Sequence, residues 1–173
     1  MKHLLAATAI AITAAVPALA NDPAALSDTE IAHVAYVADN IDIRYAHLAL
    51  AISTNPKIHE FARTMIRDHE AVNAAALELL DKLGAQAQDN FLSQKLAADS
   101  EGIINKLSQL RGAEFDRAYA ENELGYHQAV NNLVENTFIP NIDNPEVKAL
   151  FEQGLEIFKV HEGHAEMMVK AVQ

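Results

Sequence analysis

Cysteine and tryptophan do not occur in this chain of 173 residues, and aromatic residues make up only 6% of it. The absence of cysteine excludes disulfide bonds and any site built on a cysteine cluster. The sequence also has no phosphate-binding loop and no nucleophile elbow, so it offers no motif for nucleotide or serine-hydrolase chemistry. Stability must therefore come from the packing of a core or from a bound ligand.

Basic residues are scarce as well. Lysine and arginine number 13 against 24 aspartates and glutamates, which gives a formal net charge of −11 at pH 7. This balance opposes binding to nucleic acid and to anionic lipid surfaces. The acidic excess is more typical of a solvated surface than of a store for cations.

Long apolar runs are limited to the N terminus. Lys2 is followed by an uncharged apolar run and a small-residue site that ends at Ala20. This pattern is typical of a signal peptide over residues 1–20, and the run is too short for a comfortable membrane anchor. No cysteine follows the predicted cleavage point to accept a lipid. We therefore expect a periplasmic protein without stable membrane insertion, in which residues 21–173 form one domain.

Capping residues indicate where the first helix begins. Ser27, with Glu30 three positions later, forms the sequence of a capping box, which predicts a helix that runs to about Ser53. The alternation typical of β-strands does not compete with the helical pattern anywhere in the sequence. The chain is therefore predicted to be all-α.

Two Asn-Pro pairs indicate the starts of two further helices. Asn55-Pro56 begins the second helix, which Gly84 closes, and Asn144-Pro145 begins the last. Residues 85–112 form a long crossover, in which we expect one or two short helices. A third long helix follows and ends before Pro140. These segments predict an antiparallel four-helix bundle with the crossover between its second and third helices.

The apolar residues of these helices recur at steps of three and four, as on the inner seam of an antiparallel bundle. In the first helix, the predicted inner positions are Ile31, Val34, Ala38, Ile41, Tyr45, Leu48 and Ile52. In the last helix, they are Val147, Leu150, Gly154, Ile157, His161, His164 and Met168. Histidines thus take places on a seam that is otherwise apolar.

One aspartate and three histidines are expected at the same level of the bundle. Asp42 and His69 lie at nearly equal distances in sequence from the Asn55 turn that joins their helices. Because an α-helix rises by about 1.5 Å per residue and connected neighbours run antiparallel, these two side chains should face each other. The same comparison at the next loops places His127 at this level and His161 within a turn of it.

A carboxylate and three imidazoles in a dry core can form a metal site. Zinc, copper, iron and manganese all accept mixed nitrogen and oxygen ligands. We therefore predict one transition-metal ion bound by Asp42, His69, His127 and His161. A metal-free interpretation also stays open, in which Asp42 and Asp68 hydrogen-bond the histidines in a structural polar network.

Asp68 directly precedes His69, and adjacent helical residues point about 100° apart. His69 continues the apolar seam better, so Asp68 is expected beside the site rather than on the seam. It is predicted either to support the site or to pair with Arg63 or Arg67. A direct ligand role for Asp68 is an additional candidate.

Two further residues are candidate ligands. Glu123 lies four residues before His127 on the same helix face, where it would be an extra ligand or an orienting carboxylate. His164 lies one turn beyond His161. The remaining histidines of residues 21–173 are expected off the inner seams; they are His33, His47 and His59.

Three segments of the chain resemble the DUF4142 proteins, which are exported bacterial proteins of uncharacterised function. They are Asp42–Leu50, Phe61–His69 and Phe115–Tyr119, the last followed by His127. The resemblance extends over nearly all of residues 21–173. It implies a ferritin-like four-helix fold, with a glutamate usual at the position of Asp42 and a late histidine that matches His161.

Ferritin-like di-iron sites usually take a Glu-x-x-His pair from each of two helices. This chain lacks both pairs, because Ile66 and Leu124 stand three residues before His69 and His127. A ferroxidase or oxygenase centre is therefore unsupported by the sequence. A single ion in a histidine-rich site is the expectation.

Three functional classes follow from these residues. The favoured one is an exported protein that binds a transition metal and contributes to metal handling or stress tolerance in the cell envelope. The second is a metal-free helical interaction module with a buried polar layer. The third is a metalloenzyme, which would need an open coordination position and an acid or base such as Glu123; no catalytic residue is assigned.

Overall fold

The computed structural model describes residues 21–173. The predicted signal peptide, residues 1–20, lies outside the described residues. Five long helices are present, and they are α1 (Asp28–Ile52), α2 (Pro56–Lys82), α3 (Phe91–Leu107), α4 (Gly112–Leu133) and α6 (Pro145–Val172). The chain is all-α over this range, with no strand in it, as predicted. None of the helices in residues 21–173 is both long and apolar enough to cross a membrane.

The helix starts follow the predicted caps. At α1, the backbone N–H of Ser27 donates to the carboxylate of Glu30 over 2.9 Å, which completes a capping box. At α2 and α6, Asn55 and Asn144 accept hydrogen bonds from the first turn of the helix that follows each of them. Gly84 follows α2 with a positive φ of 63°, a conformation that glycine adopts without the cost a Cβ would impose.

Four of the helices contact one another in pairs. Helix α1 packs along α2, α4 packs along α6, and the pairs meet through α2 with α6 and α1 with α4. Helix α3, which occupies the crossover, lies mainly against α1. The crossover thus holds one helix of 17 residues, which is longer than the short helices predicted there. The Asn90 side chain starts α3 by accepting from the N–H groups of Leu92 and Ser93.

The buried apolar residues form two clusters. One contains residues from Ile41 to Ala49 of α1 and packs against Phe115 and Tyr119 of α4. The other contains Ile31 and Val34 of α1 and lies against the region that follows α4.

On α2, α4 and α6, the buried residues His69, His127 and His161 lie between the parts of each helix that belong to the two clusters. On α1, Asp39 lies between the clusters, whereas Asp42 lies within the part of the helix that belongs to the first cluster. The candidate site is formed by these polar residues.

The inner face of α6 differs in part from the predicted one. Ile157 is 40% exposed, whereas Phe158 is buried in its place. His161 follows Gly154 by seven positions, a spacing that can be made as three plus four through Ile157 or as four plus three through Phe158. Both spacings keep the residues on one face of the helix. The structure uses four plus three, and the larger ring of Phe158 fills the core. His164 is exposed for the same reason, with Ala165 buried instead.

The end of α4 contains a distortion that the sequence pattern does not reveal. The helix widens into a π-helix over Val134–Phe138, and a short helix α5 (Ile139–Asn141) follows. The N–H of Ile139 bonds to the carbonyl of Val134 rather than to a carbonyl four residues back. Pro140 comes next, lacks an N–H and would clash with a preceding α-helical carbonyl. A wider turn before it relieves that conflict.

Replacing Phe115 by alanine should lower the free energy of unfolding by about 3–5 kcal/mol, because it empties a fully buried ring site. This ring stacks on Tyr119 with centroids 5.9 Å apart. Leu77→Ala is the control, since Leu77 is 51% exposed and its loss should change stability by less than about 0.5 kcal/mol. Urea denaturation followed by circular dichroism measures both. Equal losses in the two variants would contradict the packing described here.

Candidate metal centre

The structure brings together the four residues that the sequence predicted at one level. Asp42 Oδ2 lies 2.7 Å from His69 Nε2 and 3.3 Å from His127 Nε2. The ring of His161 has its centroid 5.3 Å from that of His69 and 5.6 Å from that of His127. Each comes from a different helix, and all four side chains are buried. We refer to Asp42, His69, His127 and His161 as the polar layer.

Each histidine of the layer uses one ring nitrogen to bond a group at the outside of the layer. These bonds join His69 Nδ1 to Asp39 Oδ1 (2.8 Å), His127 Nδ1 to the Glu123 carbonyl (2.9 Å) and His161 Nε2 to Asp68 Oδ2 (3.0 Å). An acceptor at one ring nitrogen keeps the proton on that nitrogen. When the imidazole is neutral, the other nitrogen presents a lone pair to the interior.

The atoms that face the interior are buried and have no hydrogen-bond partner among residues 21–173. They are His69 Nε2, His127 Nε2, His161 Nδ1 and both carboxylate oxygens of Asp42 and of Glu123. Asp42 Oδ2 and His69 Nε2, 2.7 Å apart, attract each other as a charged pair although they are not aligned for a hydrogen bond. A buried polar atom left unpaired costs about 1–3 kcal/mol, so a group of facing unpaired atoms is rare in folded proteins.

These atoms are also close enough together to share an ion. Ligand atoms of His69, His127 and His161 lie within 4.8 Å of one another, and so do those of Asp42, Glu123 and His127. Both sets contain only nitrogen and oxygen donors. The buried groups could therefore hold a metal ion, as the sequence predicted.

Glu123 is one of the most deeply buried groups in the described chain, with an exposure of 0%. Burial raises its pKa well above the ordinary value, and the charge of Asp42 acts in the same direction. Tyr119 lies one turn earlier on α4 and is also fully buried, with burial raising the pKa of its hydroxyl. Without a cation, this environment therefore favours the neutral form of Glu123.

Asp42 and His69 form the charged pair of the layer. Burial acts to lower the pKa of His69, but the charge of Asp42 and the hydrogen bond with Asp39 outweigh it and raise that pKa to about 10. Burial likewise opposes ionisation of Asp42, yet the charge of His69 brings its pKa to about 2. For His161, burial dominates and lowers the pKa to about 4.

Two aspartates support the layer from outside. Asp68 accepts hydrogen bonds from Arg67 over 2.7 and 3.0 Å. It also bonds His161. It therefore pairs with an arginine and supports the site at the same time. Asp39 was not identified from the sequence. Its signal was present, because it lies three residues before Asp42 and therefore on the same helix face.

His164 does not reach the layer. It is exposed and lies in an open groove with Glu60 and Met167, so its predicted place on the inner seam is wrong. His59, which was expected off the inner seams, has its Nε2 atom 2.7 Å from the Ser53 carbonyl. Seven residues therefore define the candidate centre: the four of the polar layer with Glu123, Asp39 and Asp68.

In metal-free protein, His69 should stay protonated through neutral pH and titrate near pH 10, whereas His161 should stay neutral down to about pH 4. Histidine-ring nitrogen NMR between pH 4 and 10 measures both. Asp42→Asn should lower the titration midpoint of His69, because it removes the facing charge. Asp81→Asn, at an exposed position on α2, should leave it in place. An unshifted His69 in the parent protein would contradict this electrostatic account.

The same shifts fix the sign of the pH dependence of stability. The folded-state pKa of His69 lies above its ordinary value of 6.5, so its contribution is fully present below that pH and is lost as pH rises toward 10. The pKa of Asp42 lies below 3.8, so its contribution is present above that pH and is lost as pH falls toward 2. The metal-free pair therefore stabilises the fold most between these two ordinary values.

Comparison with known proteins leads to one match. No curated protein and no solved structure matches this chain. Residues 13–168 match the family model described as a domain of unknown function, DUF4142. That match covers nearly the whole chain, and the protein is therefore a member of the DUF4142 family.

Proposed function

We propose that this protein is an exported, ferritin-like four-helix-bundle protein that binds one transition-metal ion in its polar layer and contributes to metal handling or stress tolerance in the cell envelope. The observation that carries the proposal is the arrangement of the three imidazoles. Each has its outer nitrogen bonded and its inner nitrogen buried and unpartnered among the described residues. Metal-binding histidines in proteins are typically held in this way.

The ligand set favours a borderline transition metal. Three imidazole nitrogens and the carboxylate of Asp42 suit zinc, copper, iron or manganese, and Glu123 forms a second group of possible ligands with Asp42 and His127. Calcium and magnesium prefer sets made of oxygen alone. The ion would neutralise Asp42 and give the unpaired nitrogens a partner.

Protons compete with the ion for the layer. His69 must lose its proton before Nε2 can donate a lone pair, and Asp42 holds that proton in place when no metal is bound. The ion then replaces the proton as the positive charge that faces Asp42. Metal binding should therefore release protons, and the apparent affinity should rise with pH.

Several features favour holding a metal over turning over a substrate. The ligand side chains are almost completely buried, whereas catalytic sites keep a coordination position open to substrate. The paired Glu-x-x-His motifs of di-iron oxygen chemistry are missing from the sequence. The packing of α1, α2, α4 and α6, with α3 in the crossover, supports a ferritin-like arrangement. The N-terminal sequence pattern supports export.

Metal titration of stripped protein tests the proposal directly. We expect one ion per chain in elemental analysis and a rise in melting temperature with at least one of zinc, copper, iron and manganese. His69→Ala and His127→Ala should each weaken binding by more than about 100-fold, because losing even the outer partner of a ligand costs about 10- to 100-fold. Isothermal titration calorimetry measures the affinities.

His164→Ala is the matched control, since it removes an exposed histidine from the same helix as His161. Its affinity should equal that of the parent protein. Absence of bound metal, together with unchanged melting on addition of all four ions, would instead favour a metal-free structural layer. Equal losses in the inner and outer histidine variants would contradict the assigned ligands.

Asp68 offers a test of the outer support. Asp68→Ala removes the acceptor that fixes the proton on His161 Nε2, so metal affinity should fall by about 10- to 100-fold although no ligand is changed. Glu70→Ala removes the same charge from an exposed position on the same helix and should leave the affinity unaltered. Competition with a chromophoric chelator measures both variants. A similar fall in both would assign the effect to net charge and not to the hydrogen bond.

A further inference from the structure

An apolar cavity lies beside the polar layer and is partly open to solvent, with the exposed residues Tyr36 and Ala129 in its wall. Its volume is about 160 Å³, and its wall is formed by residues of α1, α2, α3, α4 and α6 and of the π-helix. An apolar cavity of about 150 Å³ is large enough to take up a benzene-sized molecule. The size and lining thus suit one small ring.

Besides Tyr36 and Tyr126, the wall carries two polar side chains. Asn73 is 7% exposed, and its Oδ1 atom is buried without a hydrogen-bond partner among residues 21–173. Asp39 contributes the second polar group. An unpaired carbonyl oxygen on an apolar wall is matched by a neutral molecule with one hydrogen-bond donor. The carboxylate of Asp39 disfavours an anion in the same space.

The cavity is also bordered by the distorted end of α4. Val134 and Phe138 of the π-helix both line it, and π-helical turns occur frequently at functional sites. On the facing side, Gly154 contributes no side chain. A Cβ built there would meet only the Phe158 ring, at an ordinary contact distance of 3.7 Å. An alanine at position 154 would therefore narrow the cavity without a steric clash.

We propose that this cavity is a binding site for a neutral, single-ring apolar molecule with one hydrogen-bond donor, of the size of phenol, whose donor bonds to Asn73 Oδ1. The site does not depend on a metal in the polar layer. It does share two residues with the surroundings of that layer. Asp39 bonds His69, and the ring of Phe158 stacks on His69 with centroids 4.8 Å apart.

Calorimetric and NMR titrations of the metal-free protein with phenol, toluene and benzoate test this proposal. Saturable binding of phenol is expected, with affinity at least tenfold above that of benzoate. Asn73→Leu removes the acceptor at similar volume, so it should weaken phenol binding about tenfold while toluene binding is retained; a buried polar pairing of about 1.4 kcal/mol corresponds to that factor. Unchanged phenol affinity in this variant would overturn the assignment of the donor.

Ala76→Leu extends a side chain into the cavity and should abolish binding of phenol and toluene alike. Ala75→Leu is the matched control, since Ala75 is exposed, neighbours Ala76 and does not line the cavity. Should Ala76→Leu fail to fold, Gly154→Ala narrows the same space without a clash and should weaken binding at least threefold. No saturable binding by the parent protein, or full binding by the filled variants, would overturn the proposal. Because no metal is added, failure here leaves the metal proposal untouched.

Discussion

The rest of the structure depends on the compensation of one buried charge, the carboxylate of Asp42. Its side chain has no exposure to water, and an isolated ion in such a place would cost several kcal/mol. In the metal-free protein the compensating charge is the proton on His69, held from the other side by Asp39. An ion in the same position would replace that proton. In either case Asp42 remains ionised, and the histidines around it must be oriented by groups outside the layer.

The helices accommodate this layer because apolar packing surrounds it. One cluster lies beyond the layer toward Phe115 and Tyr119, and the other lies toward Ile31 and Val34. Two apolar clusters on either side keep the local dielectric low, which strengthens a satisfied polar network and penalises an unsatisfied one. The unpaired inward atoms are therefore costly in the metal-free fold, and a bound cation would give them a partner.

Much of this arrangement could be predicted from the sequence, because short turns and a fixed helical rise convert residue spacing into height. Asp42 and His69 are placed opposite each other by the single turn between α1 and α2. The face of α6 is different, since the spacing between Gly154 and His161 allows two divisions and only the packing of Phe158 selects one. The spacing of three residues places Asp39 on the same face as Asp42, but it does not show which side chain Asp39 bonds. The π-helix relieves the clash that Pro140 would cause in an α-helix, and the spacing of the apolar residues does not indicate this clash.

The polar layer and the apolar cavity meet at His69, and this contact limits how the two could influence each other. Asp39 and Phe158 belong to the cavity wall and also touch the imidazole, one through a hydrogen bond and one through ring stacking. A molecule in the cavity that displaced Asp39 would change the orientation and basicity of His69. By thermodynamic reciprocity, an ion on His69 would then change the affinity of the cavity by the same factor. Coupling carried by so few contacts requires Asp39 to adopt two arrangements, so a rigid Asp39 would leave the two sites independent.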